Sequence, residues 1–497
     1  MSHCGRKDER SFAKSKAIAN GPAATFPGMI LDVIVVLLYA ASMLLMGWLG
    51  MRRAKTSDEF LVAGRNLGPT LYMGTMAAVV LGGASTVGTV RLGYVYGVSG
   101  FWLCAMLGLG IIALHVSLAK PLLKLRIFTV TQVLERRYNP AARQASAVIM
   151  CAYALMLGVT SCLAIGTILQ VLFLLPSWAS VILGGVVVVV YSAIGGMWSL
   201  TLTDIVQFAI KTVGMMFLLL PICLYRVGGW SQLKVKLPAS AFHFATIGWG
   251  TVITYFLIYF FGIMIGQDVW QRVFTARSAR VAQYAGAVAG IYAVAYGLVG
   301  SVIGMCARVL IPKLDNTNNA YAAIVRDSLP AGLRGLVIAA ALAAMMSTAS
   351  AAILAASTTV TEDLLPWLRG GARSTLATDR LFTTLAGALT LAIALVVSDV
   401  ITALTVAYNL LVGGMLIPLI GAVYWKRATT PGALACIAVG SVTVIAFMIR
   451  DGLAANTPIY YGLGAGLVSF ISVSLLFRQE SSEVGLALAP ETSAAEE

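Results

Sequence analysis

Long uninterrupted apolar runs recur along this chain and fix what it can fold into. They centre near residues 30–50, 69–97, 99–119, 142–173, 177–198, 204–225, 244–268, 280–305, 332–361, 380–397, 400–424, 431–449 and 458–477. Each is long enough for a transmembrane α-helix, which needs roughly 20 apolar residues to cross a bilayer core. The runs are continuous rather than alternating, which excludes an outer-membrane β-barrel. Only 11% of the residues are charged and 59% are apolar, whereas a soluble domain is about 25% charged. A soluble enzyme, a disordered chain and a disulfide-stapled secreted domain are therefore excluded. The expected fold class is an all-α polytopic membrane protein with 13 crossings over residues 29–478. Residues 1–28 and 479–497 are polar and read as disordered tails.

The net charge of +14 reflects membrane orientation rather than nucleic-acid binding. With the N-terminus outside, the inside-facing loops hold 19 Lys and Arg residues, Arg52, Lys124, Arg272 and Arg427 among them, and the outside loops hold 8. That bias predicts an external N-terminus and a cytoplasmic C-terminus in an inner (plasma) membrane. Seven scattered cysteines without a CxxC pair give no metal or redox centre. No HExxH, Walker A or GxSxG pattern occurs, so no enzyme and no cofactor are expected.

Backbone breaks in a membrane helix are tolerated only where they line a protein cavity. The second run reads Met76-Ala-Ala-Val-Val-Leu-Gly-Gly-Ala-Ser-Thr-Val-Gly88. Gly82 and Gly83 lower the cost of unwinding, and Ser85 or Thr86 is placed to cap a second half-helix. The carbonyls from Ala78 to Leu81 then become available to a cation. An unbroken helix with a small-residue packing face fits the same glycines. The seventh run has a similar interruption, Gly262 to Gly266, followed by Gln267 and Asp268. Two broken helices five runs apart are the expected trace of an inverted repeat, with core units near 69–225 and 244–424. The ninth run carries hydroxyls at Ser347, Thr348, Ser350, Ser357, Thr358 and Thr361. Such hydroxyls either bond back to their own helix or supply oxygens to a hard cation.

Six short segments, in order, resemble the sodium:solute symporters. They are Asp58 to Arg65, Thr131 to Tyr138, Gly195 to Gln207, Gln271 to Ser278, Ala344 to Asp363, and Pro418 through Tyr424-Trp-Lys-Arg427 to Ala433. The resemblance implies the LeuT-type fold of five plus five helices. It also implies a sodium site made by the carbonyls of Ala78, Leu81 and Ala344 and the hydroxyls of Ser347 and Thr348, with Asp204 near the cytoplasmic end of the sodium path. As a cap for the sixth run, Asp204 also has a purely structural reading.

For the solute, the resemblance implies Gly82, Gly83, Ser85, Thr86, Tyr255, Tyr259 and Gln267. The glycines and small hydroxyls there argue against a sugar. Arg91, one charge in an otherwise apolar run, is expected either to favour a carboxylate-bearing solute, or to line the outer vestibule or pair with Asp268 or a loop acid. The expected function is sodium-coupled import of a small carboxylate or amino acid by alternating access, with Na+ as coupling ion. The alternatives are an organic cation such as a choline-like solute, or a transporter-derived sensor or channel.

Overall fold

The computed structural model describes residues 29–368 and 374–477. Both expected tails, with Arg369, Arg373 and Arg478 of the charge count, lie outside the described residues. The principal helices are α1 (Met29–Met51), α2 (Pro69–Val79), α3 (Thr89–Tyr96), α4 (Trp102–Ser117), α5 (Pro140–Phe173), α6 (Ser177–Thr212), α7 (Phe261–Ile265), α8 (Gln267–Val273), α9 (Ala279–Leu310), α10 (Leu333–Thr359), α11 (Leu376–Ala394), α12 (Val400–Tyr424), α13 (Thr430–Asp451) and α14 (Thr457–Leu476). Among the described residues, ten helices are long and apolar enough to cross a membrane, or eleven if the bent pair ending in α7 and α8 is one span. The protein is an integral membrane protein built from helices.

Several helices start where polar side chains meet otherwise unpaired N–H groups. Asn139 accepts from Ala142 ahead of α5, Ser278 from Val281 ahead of α9, and Asp399 from Thr402 ahead of α12. Pro140 and Pro431 occupy the first turns of α5 and α13, where a missing N–H costs nothing. The central element is α10, buried along nearly its whole length, with α2, α5 and α6 packed around it. The outer helices α1, α13 and α14 expose large apolar side chains such as Ile30, Leu38, Val442 and Val468. In water such surface would be unfavourable; in lipid it is the required outer face.

Three interruptions shape the interior. Helix α2 ends at Val79, residues 80–82 are non-helical, and the chain resumes through a π-turn (Ala84–Gly88) into α3. A side chain at Gly82 would place its Cβ 2.6 Å from Thr348 Oγ1 of α10, so only glycine permits this backbone approach. Gly266, with an extended ψ of 131°, separates α7 from α8, and the two pieces bend by 43°. Within α6, Gly196 adopts φ 51° and ψ −138°, a conformation open to glycine.

The third interruption corrects the expectation for Asp204. The helix resumes at Met197, so Asp204 sits two turns inside it and caps nothing.

Candidate functional site: a cation gap beside a small cavity

The broken strand of backbone between α2 and α3 lies against the middle of α10. Ser347 Oγ donates to Ala78 O at 2.9 Å and to Ala344 O at 2.9 Å. Thr348 Oγ1 donates to Val79 O at 2.6 Å. Ser85 Oγ donates to Val80 O at 3.2 Å, so it satisfies an upstream carbonyl rather than capping the next half-helix. The half-helix starts at Gly83 with no side-chain cap, which corrects the capping role expected of Ser85 and Thr86. Leu81 is buried inside the break. Ala78, Ala344, Ser347 and Thr348 are thus brought together, from segments 266 or more residues apart. The result is a cluster of neutral oxygens in the low-dielectric interior.

A lysine also enters the cluster. Lys211 of α6, wholly buried, donates from Nζ to Ala77 O at 2.8 Å and Ala78 O at 3.1 Å. Its Nζ stands 6.0 Å from the centre of the Tyr296 ring. Two turns earlier on α6, Asp204 accepts from Arg272 Nη2 at 3.0 Å and from Thr75 Oγ1. Arg272 of α8 also reaches Thr75 Oγ1 at 3.2 Å and the Asp268 carbonyl at 3.1 Å. The second Asp204 oxygen, Oδ1, has no partner among the described residues.

Beside the gap is a small cavity of about 20 Å³, room for little more than one water. Gly82, Gly83 and Ser85 line it from the break, Thr160 and Ser161 from α5, Thr348 from α10 and Tyr408 from α12. Asp268, at the start of α8, adds a buried carboxylate that accepts from Tyr153 Oη at 2.9 Å. Tyr153 and Tyr408 meet edge to face with ring centres 5.2 Å apart, a preferred aromatic geometry. The Ser161 hydroxyl, at a wall of the same cavity, is buried and has no partner among the described residues. One buried carboxylate, the Ser161 hydroxyl and a half-helix start converge on this cavity.

Residues 60–440 match the sodium:solute symporter family. The chain belongs to that family. It is 24% identical over 486 residues to the osmoregulated proline transporter OpuE of Bacillus subtilis (strain 168), covering 89% of this chain and 94% of the relative. It is 23% identical over 469 residues to the sodium/proline symporter of Staphylococcus aureus (strain JH9), covering 88% of this chain and 90% of that protein. A substrate-bound, outward-open Na+-coupled sialic acid symporter has the same fold, with TM-score 0.78, 19% identity and coverage of 90% and 98%. The nucleobase-cation-symport-1 transporter Mhp1 is more distant, with TM-score 0.54, 16% identity and coverage of 84% and 94%. Both are LeuT-fold transporters.

Several residues expected at the solute site of this symporter-family chain lie elsewhere. Arg91 Nη1 pairs with Asp399 Oδ2 at 2.9 Å; its partner is the acid just ahead of α12, the loop-acid alternative expected for it, and not Asp268. The reason is helical phase: five residues past Thr86 carry it about 140° around the axis. Burial raises the Asp399 carboxyl, but the Thr402 N–H and Arg91 outweigh it and hold it below the ordinary carboxylate value. Gln267 is turned away from the gap: its amide oxygen accepts from Val130 N at 2.9 Å and its nitrogen donates to Phe128 O at 2.8 Å. Thr86 bonds the Tyr296 hydroxyl at 3.0 Å. Tyr259 bonds Thr405 at 3.1 Å and packs at a tilt against Tyr255 with ring centres 4.9 Å apart, one layer behind Tyr408. Arg272, assigned by its charge to an inside loop, is instead buried against Asp204.

Sequence reasoning passed over Lys211 and considered Asp268 only as a residue following the second break and a partner for Arg91. The signal for Lys211 was present: the one basic residue in the 204–225 run, seven residues after Asp204 and therefore on the same helix face.

Proposed function

We propose that the protein is a secondary active importer that couples inward sodium movement to uptake of a small amino or imino acid, proline-like in size and charge. The observation that carries this reading is the juxtaposition of the oxygen cluster at Ala78, Ala344, Ser347 and Thr348 with the cavity closed by Asp268. Sodium takes hard oxygen ligands, and carbonyls and hydroxyls of this kind, with Leu81 completing the set, suit a monovalent ion without a carboxylate. Sodium bound there ties the break to α10 and shapes one wall of the cavity, because Thr348 belongs to both. Solute and ion then favour each other by the same free energy.

In the cavity, the solute's amine lies toward Asp268 and its carboxylate toward the positive end of the half-helix leading into α3. Gly82, Gly83 and Ser85 supply the backbone surface. A choline-like cation would leave that half-helix start without an anionic partner, and the proline transporters among the relatives favour the amino-acid reading. Asp204, salt-bridged below the gap, meets the ion on its way to the cytoplasm when Arg272 releases it.

The proposed topology has 13 crossings. The continuous element Ser177–Val227 has 51 residues, about 76 Å of helix against a core of about 30 Å, so it crosses twice, divided at Gly196. Ala84–Ser117 divides likewise where Gly97 turns the chain with φ 68°. The N-terminus is outside and the C-terminus cytoplasmic, and the core repeats span about 69–225 and 244–424.

The test is sodium titration of labelled-proline uptake. Ser347→Ala and Thr348→Ala each raise the sodium concentration for half-maximal rate several-fold. A double variant with wild-type sodium dependence contradicts the assignment.

A further inference from the structure

The oxygen cluster of the cation gap already receives a positive group from this chain. Lys211 is the one lysine in the apolar run 204–225, and none of its surface is exposed. A buried ammonium in a membrane helix pairs with a carboxylate or with backbone carbonyls. Here the partners of Nζ are the carbonyls of Ala77 and Ala78 at 2.8 and 3.1 Å, with the Tyr296 ring face 6.0 Å away. The carboxylate on the same face, Asp204, is taken by Arg272 at 3.0 Å. The gap therefore holds one monovalent positive group on neutral oxygens, which is also the chemistry by which it would hold sodium.

The two occupants share an atom. Ala78 O accepts from Lys211 Nζ and from Ser347 Oγ at 2.9 Å, which uses both lone pairs of that oxygen. An ion that ligates it must displace one of them. Ser347 itself turns from donor to ligand without leaving, whereas the ammonium has no lone pair to offer and repels a second cation at this range.

We infer that the Lys211 ammonium is a tethered cation that competes with sodium for the oxygens of the gap, so that sodium enters only as this side chain withdraws. The inference rests on the sodium-site assignment under the proposed function. The four-carbon stem gives the ammonium the freedom to leave, and Thr86, bonded to Tyr296 at 3.0 Å, connects its surroundings to the half-helix that begins beside the cavity. In the absence of sodium the ammonium holds the break in place; in its presence the two exchange.

The experiment measures equilibrium binding of radiolabelled sodium to the purified, detergent-solubilised full chain at fixed pH and ionic strength. Lys211→Met is expected to bind sodium at least tenfold more tightly than the wild type. Lys211→Arg, which keeps the positive charge, stays as weak as the wild type. Adding Ser347→Ala to Lys211→Met reverses the gain. If Lys211→Met does not give monodisperse protein, Lys211→Gln takes its place with the same expectation. Sodium affinity unchanged on removal of the charge overturns the inference.

Proline uptake with sodium replaced by choline separates this from the proposed function. A wild type that transports equally in both media, with tighter sodium binding in Lys211→Met, removes sodium as the coupling ion and keeps the tethered competitor. Sodium-driven uptake with no gain in Lys211→Met removes the competitor alone.

Discussion

Asp268 is the carboxylate that closes the cavity, and its chemistry is the sharpest at the residue scale. A hydrogen bond to a charged group contributes about 1.5–3 kcal/mol, so Asp268→Asn is expected to raise the half-saturating proline concentration roughly 10- to 150-fold. Tyr153→Phe, which removes the hydroxyl bonded to Asp268 at 2.9 Å, has a smaller effect in the same direction. Labelled-proline uptake kinetics decide; an Asp268→Asn variant with wild-type half-saturation takes the carboxylate out of the site. At this scale the sequence was readable where residue type and local spacing carry the chemistry. Ser347 and Thr348 stand out as adjacent hydroxyls in an apolar helix, and Gly82 as half of a glycine pair. It was not readable where a partner comes from a distant helix. Nothing local says that Arg91 meets Asp399 across 308 positions, or that Gln267 fastens residues 128–130 rather than facing a solute. Lys211 is different, since its isolation and its phase with Asp204 were visible in the run itself.

At the element scale, the proposed function depends on two interrupted helices. The approach of α2 to α10 requires glycine at 82, where an added Cβ would lie 2.6 Å from Thr348 Oγ1 and 2.7 Å from Thr348 Cβ. Overpacking of this kind typically costs about 1–3 kcal/mol, here by pushing apart the two elements that form the oxygen cluster. Gly82→Ala is expected to lower proline uptake more than tenfold while the protein remains folded by size-exclusion chromatography. Wild-type kinetics in that variant would mean that the contact between break and helix is not needed. Both breaks were legible as glycines inside apolar runs, although such glycines also pack unbroken helices, as Gly413 and Gly414 do in α12. The π-turn at Ala84–Gly88 was not, because π and α segments share the same apolar pattern; the expected cap at Ser85 or Thr86 failed for that reason. The boundary between the fifth and sixth runs lies within two residues of the bend at Gly196, but Asp204 falls inside the resumed helix rather than at its start.

For the whole molecule, the proposed cycle has a definite thermodynamic reach. One positive charge moving through 100 mV gives about 2.3 kcal/mol, and a tenfold sodium gradient adds about 1.4 kcal/mol. Together they support roughly 500-fold accumulation of a zwitterion per sodium. An anion carried with one sodium moves no net charge and loses the electrical part, so a zwitterionic solute uses the driving force more fully. The architecture was legible as a whole because apolar runs, charge alternation and six ordered motifs pointed the same way. The way in which two helices, α10 and the broken α2–α3 pair, meet at the gap was accessible only through the resemblance, since no composition or period encodes which helix faces which. The most direct test of the account is labelled-proline uptake into proteoliposomes of the purified protein under an imposed inward sodium gradient, with potassium as the control cation. The account predicts concentrative uptake that requires sodium and collapses when the gradient is dissipated. Uptake that only equilibrates, or that proceeds equally with potassium, would contradict it.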